Sequence, residues 1–197
     1  TGNPILFERQ EVLDYNGKPY KKAEKIQYTD IAGHYAEKQI TAIAQMGIGF
    51  GDKEYKPDLV MAQKDFLWLL SKTSNSYYSP LTVLSTDKKE IDNMYKSLLS
   101  MGIIKENEIA PDADINREDS VKFIIRALKL ENVAVLSDIW NCPFQDADTF
   151  GAGNIGYITL AYGMGIVKGD SEMNFLPKQT LTRGQAAIVI YNFLSRK

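Results

Sequence analysis

Two arginines stand where a cation is least welcome. Arg117 follows Asn116 and Arg183 follows Thr182, each just inside an expected helix start. There the exposed backbone amides and the helix dipole disfavour positive charge. A guanidinium kept at that position twice is suited to gripping a carboxylate through paired hydrogen bonds, on a ligand or on a neighbouring element. Asp30 and Asp146, each two residues after an aromatic (Tyr28, Phe144), could accept hydrogen bonds from a ligand or cap a turn. Taken singly, Tyr35 and Trp68 read as core residues more readily than as sugar platforms, Trp68 most strongly because its helix is apolar nearly all round.

Other chemistries are poorly supplied. His34 is the lone histidine and reads as structural, and Cys142 the lone cysteine, a small apolar filler, so neither a zinc cluster nor an internal disulfide is expected. Asp112, Asp114 and Asn116 imitate the start of a calcium loop, but Arg117 stands where the glycine belongs and Phe123 where the glutamate belongs. Capping by Asn116 accounts for that stretch better. No phosphate-binding loop, nucleophile elbow or metalloprotease helix motif occurs, so no cofactor and no enzyme activity are expected. A net charge of −2 without a basic cluster argues against nucleic acid, and no apolar run is long enough to span a bilayer.

The elements that must position these residues recur. Gly47-Ile48, Gly102-Ile103 and Gly165-Ile166 lie 55 and 63 residues apart and are followed after 10, 9 and 12 residues by Pro57, Pro111 and Pro177. In each copy an apolar-periodic helix ends at the glycine, a loop follows, and a new helix starts beyond the proline. First-helix stripes are Ala36, Ile40, Ile43 and Ala44 in one copy and Ile91, Met94, Tyr95 and Leu98 in the next, with a helix around Ile155–Met164 in the third. The second helices run over about Gln63–Lys72, from Arg117 through Leu128, and to about Leu194. Thr182 and Gln185 have capping-box spacing, and Pro177 is expected to keep Leu176 out of the helical region. Residues 1–27, centred on Asn16-Gly17, read as a short extended arm or lead-in, Ser74–Leu84 as a linker, and the apolar stretch Leu130–Pro143 as a short docked segment. Boundaries follow at 1–27, 28–83, 84–143 and 144–197 for a mainly α fold of three pseudo-symmetric helix-loop-helix repeats.

These residues carry a family resemblance. Tyr28-x-Asp30 and Phe144-x-Asp146, His34-Tyr35-Ala36, the loops at 47–51 and 165–169, Tyr55-x-Pro57 and Phe175-x-Pro177, and Asn116-Arg117-Glu118-Asp119 and Thr182-Arg183-Gly184-Gln185 follow one order. The chain thereby resembles three tandem S-layer homology (SLH) modules, over Tyr28–Leu194. The resemblance implies an SLH-type helical bundle in a secreted protein of the bacterial cell surface or wall. Its grooves between modules would hold secondary cell-wall polysaccharide, often ending in a pyruvylated N-acetylmannosamine. The pattern is incomplete: Gln63 stands in place of the arginine, the second copy lacks the aromatic-x-Asp opening, and Gly153-Asn154 stands where the family has Trp-Ala. Glycan-binding roles therefore carry over only to Asp30, Tyr35, Gly51, Arg117, Asp146, Gly169 and Arg183, and one or two working grooves are expected. The rival reading is a degenerate scaffold that contacts other surface proteins or an upstream region of the same polypeptide. Arg183, in a first helical turn expected to be solvated, would matter for binding more than for stability.

Overall fold

The computed structural model describes residues 27–74, 87–136 and 139–195. The expected arm at 1–27 and linker at Ser74–Leu84 lie outside the described residues, apart from Gln27 and Ser74. Seven α-helices follow: α1 (Glu37–Gln45), α2 (Gln63–Ser74), α3 (Lys88–Ser100), α4 (Arg117–Ala127), α5 (Glu131–Ala134), α6 (Ile155–Gly163) and α7 (Arg183–Leu194). Among the described residues β-structure is limited to three isolated antiparallel bridges, Val60 with Thr182, Ala62 with Asp114, and Asn116 with Thr180. The fold is mainly helical, as the periodicity predicts.

The Gly-Ile pairs do one job three times. Gly47, Gly102 and Gly165 have φ of +80°, +69° and +69°, which a residue without Cβ reaches at little cost. Each glycine amide donates to the carbonyl three residues back along its helix end, on Ala44, Leu99 and Tyr162. Each isoleucine amide reaches one residue further, to Ile43, Leu98 and Ala161. This is the Schellman closure, and its apolar seal is the isoleucine itself, since Ile48, Ile103 and Ile166 are all buried.

The stretch before each second helix meets its two counterparts at the molecular centre. The Met61 amide donates to the Leu181 carbonyl, Leu181 to Ile115, and Ile115 back to Met61, each at 2.9 Å. Met61, Ile115 and Leu181 are buried, and each such side chain withdrawn from water contributes about 1.5–3 kcal/mol. The first free amides of the helices are satisfied in the same rotation: Gln63 by Ala113, Arg117 by Gln179 and Arg183 by Leu59, at 2.8–3.0 Å. The next amides, on Lys64, Glu118 and Gly184, donate to the carbonyls of Pro111, Pro177 and Pro57. Helix ends that would otherwise bury unsatisfied donors are thus capped by the loop of the following segment.

Helices pair across segments in that cyclic order. α2 packs on α3, α4 on α6, and α7 on α1, so the last helix of the described chain closes the ring on the first. α2 is enclosed as expected, with Phe66 through Leu70 all buried. Leu130–Pro143 is docked only in part. Ala134 in α5 and Phe144 beyond the stretch are buried, whereas Val133, Val135, Leu136 and Ile139 are exposed.

Candidate functional site

Three grooves follow from the cyclic pairing, each between the start of a second helix and the loop of the next segment. Their positions correspond residue by residue. Arg183 faces the loop through Tyr55-Lys56-Pro57, Arg117 the loop through Phe175-Leu176-Pro177, and Gln63 the loop through Ile109-Ala110-Pro111.

In the first groove Asp30 holds the loop. Its two carboxylate oxygens accept from the amides of Tyr55 and Lys56, each at 2.7 Å. Asp146 does the same to Phe175 and Leu176 at 2.7 and 2.8 Å. Both aspartates are therefore clamps between segments of the chain far apart in sequence, not local caps. Partial burial raises the Asp30 pKa, but the two amides outweigh it and hold the carboxyl below its ordinary value. The residue each clamp grips before the proline is left-handed, Lys56 at φ +55° and Leu176 at φ +59°. The proline does exclude the right-handed helical region, but the bidentate clamp turns the chain the other way. Left-handed non-glycine residues cost of order 1 kcal/mol or more and persist where neighbours over-determine them.

Arg183 is not solvated. Its side chain is 11% exposed. It lies over the Phe50 ring at 3.9 Å, donates from Nη1 to the Tyr55 carbonyl at 3.1 Å, and places Nη2 3.7 Å from Asp65. Its buried Nε and the Asp65 Oδ1 have no hydrogen-bond partner. Burial raises the Asp65 pKa, opposed by Arg183 and Lys64. Arg117 is held more completely, with Nε on the Phe175 carbonyl at 2.7 Å, Nη2 on Lys168 at 3.0 Å, and the Phe175 ring below. Burial lowers its pKa. The difference traces to one hydroxyl. Tyr28 donates to the Phe50 carbonyl at 2.9 Å, at the loop position where Arg117 takes Lys168. Phe144 has no hydroxyl to do so. Burial in turn pushes the Tyr28 phenol up to about 12.

The third groove has lost both partners together. Gln63 replaces the arginine, and its Oε1 accepts from the Ala110 amide and from Tyr95, while Nε2 donates to the Glu108 carbonyl. One neutral amide thus serves the loop that an aspartate serves in the other two.

The expected site residues fall into two clusters. Asp30 and Arg183 meet at the Tyr55–Pro57 loop, and Tyr35 is exposed rather than core, its ring 4.2 Å from His34. Arg117, Asp146 and Gly169 gather around the Phe175–Pro177 loop. Gly169 is needed for space, because a Cβ there would stand 3.0 Å from the Phe144 ring and 3.2 Å from the Asn174 carbonyl. An open hollow of about 630 Å³ adjoins the first cluster, lined by Asp30, Gly33, His34, Lys56, Asp58 and Leu59 among others. His34, Lys56 and Asp58 were not among the expected ligand residues. The signal for Asp58 is its place directly after the proline, where Asp112 and Lys178 stand in the other segments. Trp68 is buried and Cys142 packs half-buried against the core, as expected. Among the described residues no helix is long and apolar enough to cross a membrane.

Residues 143–187 match the family model of the S-layer homology domain. The match takes in Asp146, Gly169 and Arg183. Along 91% of its length the chain is 25% identical to an exoglucanase, XynX, of Acetivibrio thermocellus, and along its whole length 24% identical to an amylopullulanase of Thermoanaerobacterium thermosulfurigenes. It spans 17% and 11% of those two proteins, respectively. A match so confined carries none of their catalytic activities across. Through residues 143–187 the chain carries an S-layer homology domain, the non-catalytic module that anchors surface proteins to the cell wall.

Proposed function

We propose that the segments 28–83, 84–143 and 144–197 are three S-layer homology modules and that the chain is a non-catalytic anchor binding an anionic, pyruvylated secondary cell-wall polysaccharide. The observation that carries this reading is the recurrence of one aspartate-clamped, left-handed loop against one buried arginine, at Asp30 with Arg183 and at Asp146 with Arg117. Fixed backbone beside a cation suits a ligand with a carboxylate and hydroxyls. Tyr35 offers an exposed aromatic face to a sugar ring. More than one groove on a polymer raises effective affinity.

A second reading applies to one groove. Where Gln63, Tyr95 and Ala110 close on each other, the joint between the first and second segments serves as scaffold. Sedimentation with purified walls tests the proposal. The chain is expected to pellet with intact walls and to stay in solution with walls from which the secondary polysaccharide has been extracted. Equal pelleting with both would assign it a different wall component, and pelleting with neither would leave the scaffold reading for the whole chain.

A further inference from the structure

The third residue of the second helix does not do the same work in all three segments. Asp119 in α4 and Gln185 in α7 turn back on their own helix starts, accepting from the Asn116 side-chain amide at 2.8 Å and from the Thr182 backbone amide at 3.1 Å. Asp65 in α2 reaches across to another segment instead. Its Oδ2 lies 3.7 Å from Arg183 Nη2, where α2 packs on α7. By the same rotation the place beside Arg117 falls to Gln185, which carries no charge.

The contact of Asp65 with Arg183 is loose although it is buried. Asp65 is 8% exposed, and its Oδ1 and the Arg183 Nε both lack a hydrogen-bond partner. The other charged or titratable groups that act on it are Lys64 on its own helix, Asp112 on the second loop and the Tyr95 phenol of α3. Lys64 is already ion-paired with Asp112. Arg183 is thus the main cation that keeps Asp65 ionised, and burial works against it.

We infer that Asp65 is a positioning residue for Arg183 and a proton-linked counter-charge to it: an anion bound at the guanidinium competes with Asp65, which takes up a proton from solvent as the anion binds. Two carboxylates around one buried cation do not both stay ionised without cost. The inference rests on the anchoring proposal above, which supplies the anion, and adds a dependence on pH. A state that holds more protons is favoured as pH falls, so binding through Arg183 strengthens in mild acid. Binding through Arg117, beside the neutral Gln185, does not.

The test is calorimetric titration of the unaltered chain with purified secondary cell-wall polysaccharide, its pyruvate intact, at about pH 7 and about pH 5, where a pyruvyl carboxylate stays ionised. Affinity is expected to rise about threefold or more over that range. The heat at one pH should also change between buffers of different ionisation enthalpy, the mark of proton uptake. Asp65→Asn keeps the shape and removes the charge, and its affinity should no longer vary with pH. His34, the single histidine of the chain, is intact in that variant, so a pH dependence that survives there would overturn the inference. Should the variant fail to fold, the unaltered chain alone decides. Affinity independent of pH in that chain would overturn the inference and leave the anchoring proposal standing. No heat from the polymer at either pH would remove both.

Discussion

Arg183 illustrates how one residue can serve a groove and the fold together. Removing it takes away the bond to Tyr55, the contact with Phe50, and the cation facing Asp65, whose buried carboxylate would then keep only the attraction of Lys64. Breaking such a pair from one side leaves an uncompensated buried charge. Arg183→Ala is therefore expected to cost about 2–4 kcal/mol in urea unfolding, and a loss within experimental error would mean that the guanidinium is dispensable to the fold. The arginines were legible as residues with a purpose, because cations at helix starts conflict with the dipole. Their burial was not legible, since it depends on Phe50 and Phe175 arriving from another segment.

Acid should loosen a second set of residues. Arg126, 4% exposed, is bonded to Glu108 and Glu131, and Tyr157 donates to Glu131 at 2.8 Å. Burial raises the Glu108 pKa, but Arg126, the Lys105 amide and Lys122 outweigh it, so the net shift is downward. Glu131 is likewise lowered, against burial, by Tyr157, Lys105 and Arg126. A carboxylate with a depressed folded pKa contributes stability above its unfolded value and loses it as pH falls through the folded one. Stability should therefore fall as pH drops through and below the ordinary glutamate range. Asp65 acts with the opposite sign, because a raised pKa means that the folded state gains from its protonation. Asp65→Asn should make the acid loss steeper, and an unchanged slope would show that Asp65 does not titrate differently on folding.

At the scale of elements, the helix ends were the most readable feature. A glycine after an apolar stripe, followed by isoleucine, gives the Schellman closure at all three expected places, because that geometry is local. The loops before the prolines were less readable. Left-handed Lys56 and Leu176 depend on aspartates more than twenty residues away. The packing of α5 on α6 was also hidden from periodicity. Gly156 permits it, since a Cβ there would stand 1.9 Å from the Ala134 carbonyl oxygen, a backbone atom that cannot step aside cheaply. Gly156→Ala is expected to cost about 2 kcal/mol or more despite alanine's better helix propensity. A gain in melting temperature would refute the close approach.

For the whole molecule, the cyclic triangle of Met61, Ile115 and Leu181 and the pairing of α7 with α1 make the segments interdependent. The first two amides of each second helix are satisfied by another segment's loop. The described segments should then unfold together, with probes near α1 and α4 giving coincident urea transitions. Ile115→Ala should shift both by the same amount, about 2–4 kcal/mol, and separate transitions would contradict the ring. The threefold repetition was visible in the spacing of the Gly-Ile pairs and prolines. The exchange of caps between segments was not, because sequence repetition is silent on which copy's loop meets which copy's helix. That exchange also explains why the missing arginine of the first segment and the missing aspartate of the second spoil one groove rather than two.

The anchoring account is tested most directly by calorimetric titration of this chain with purified secondary cell-wall polysaccharide, before and after mild acid removal of its pyruvate. Binding that is lost with the pyruvate is the predicted result. Equal heats from both polymers, or none from either, would contradict it.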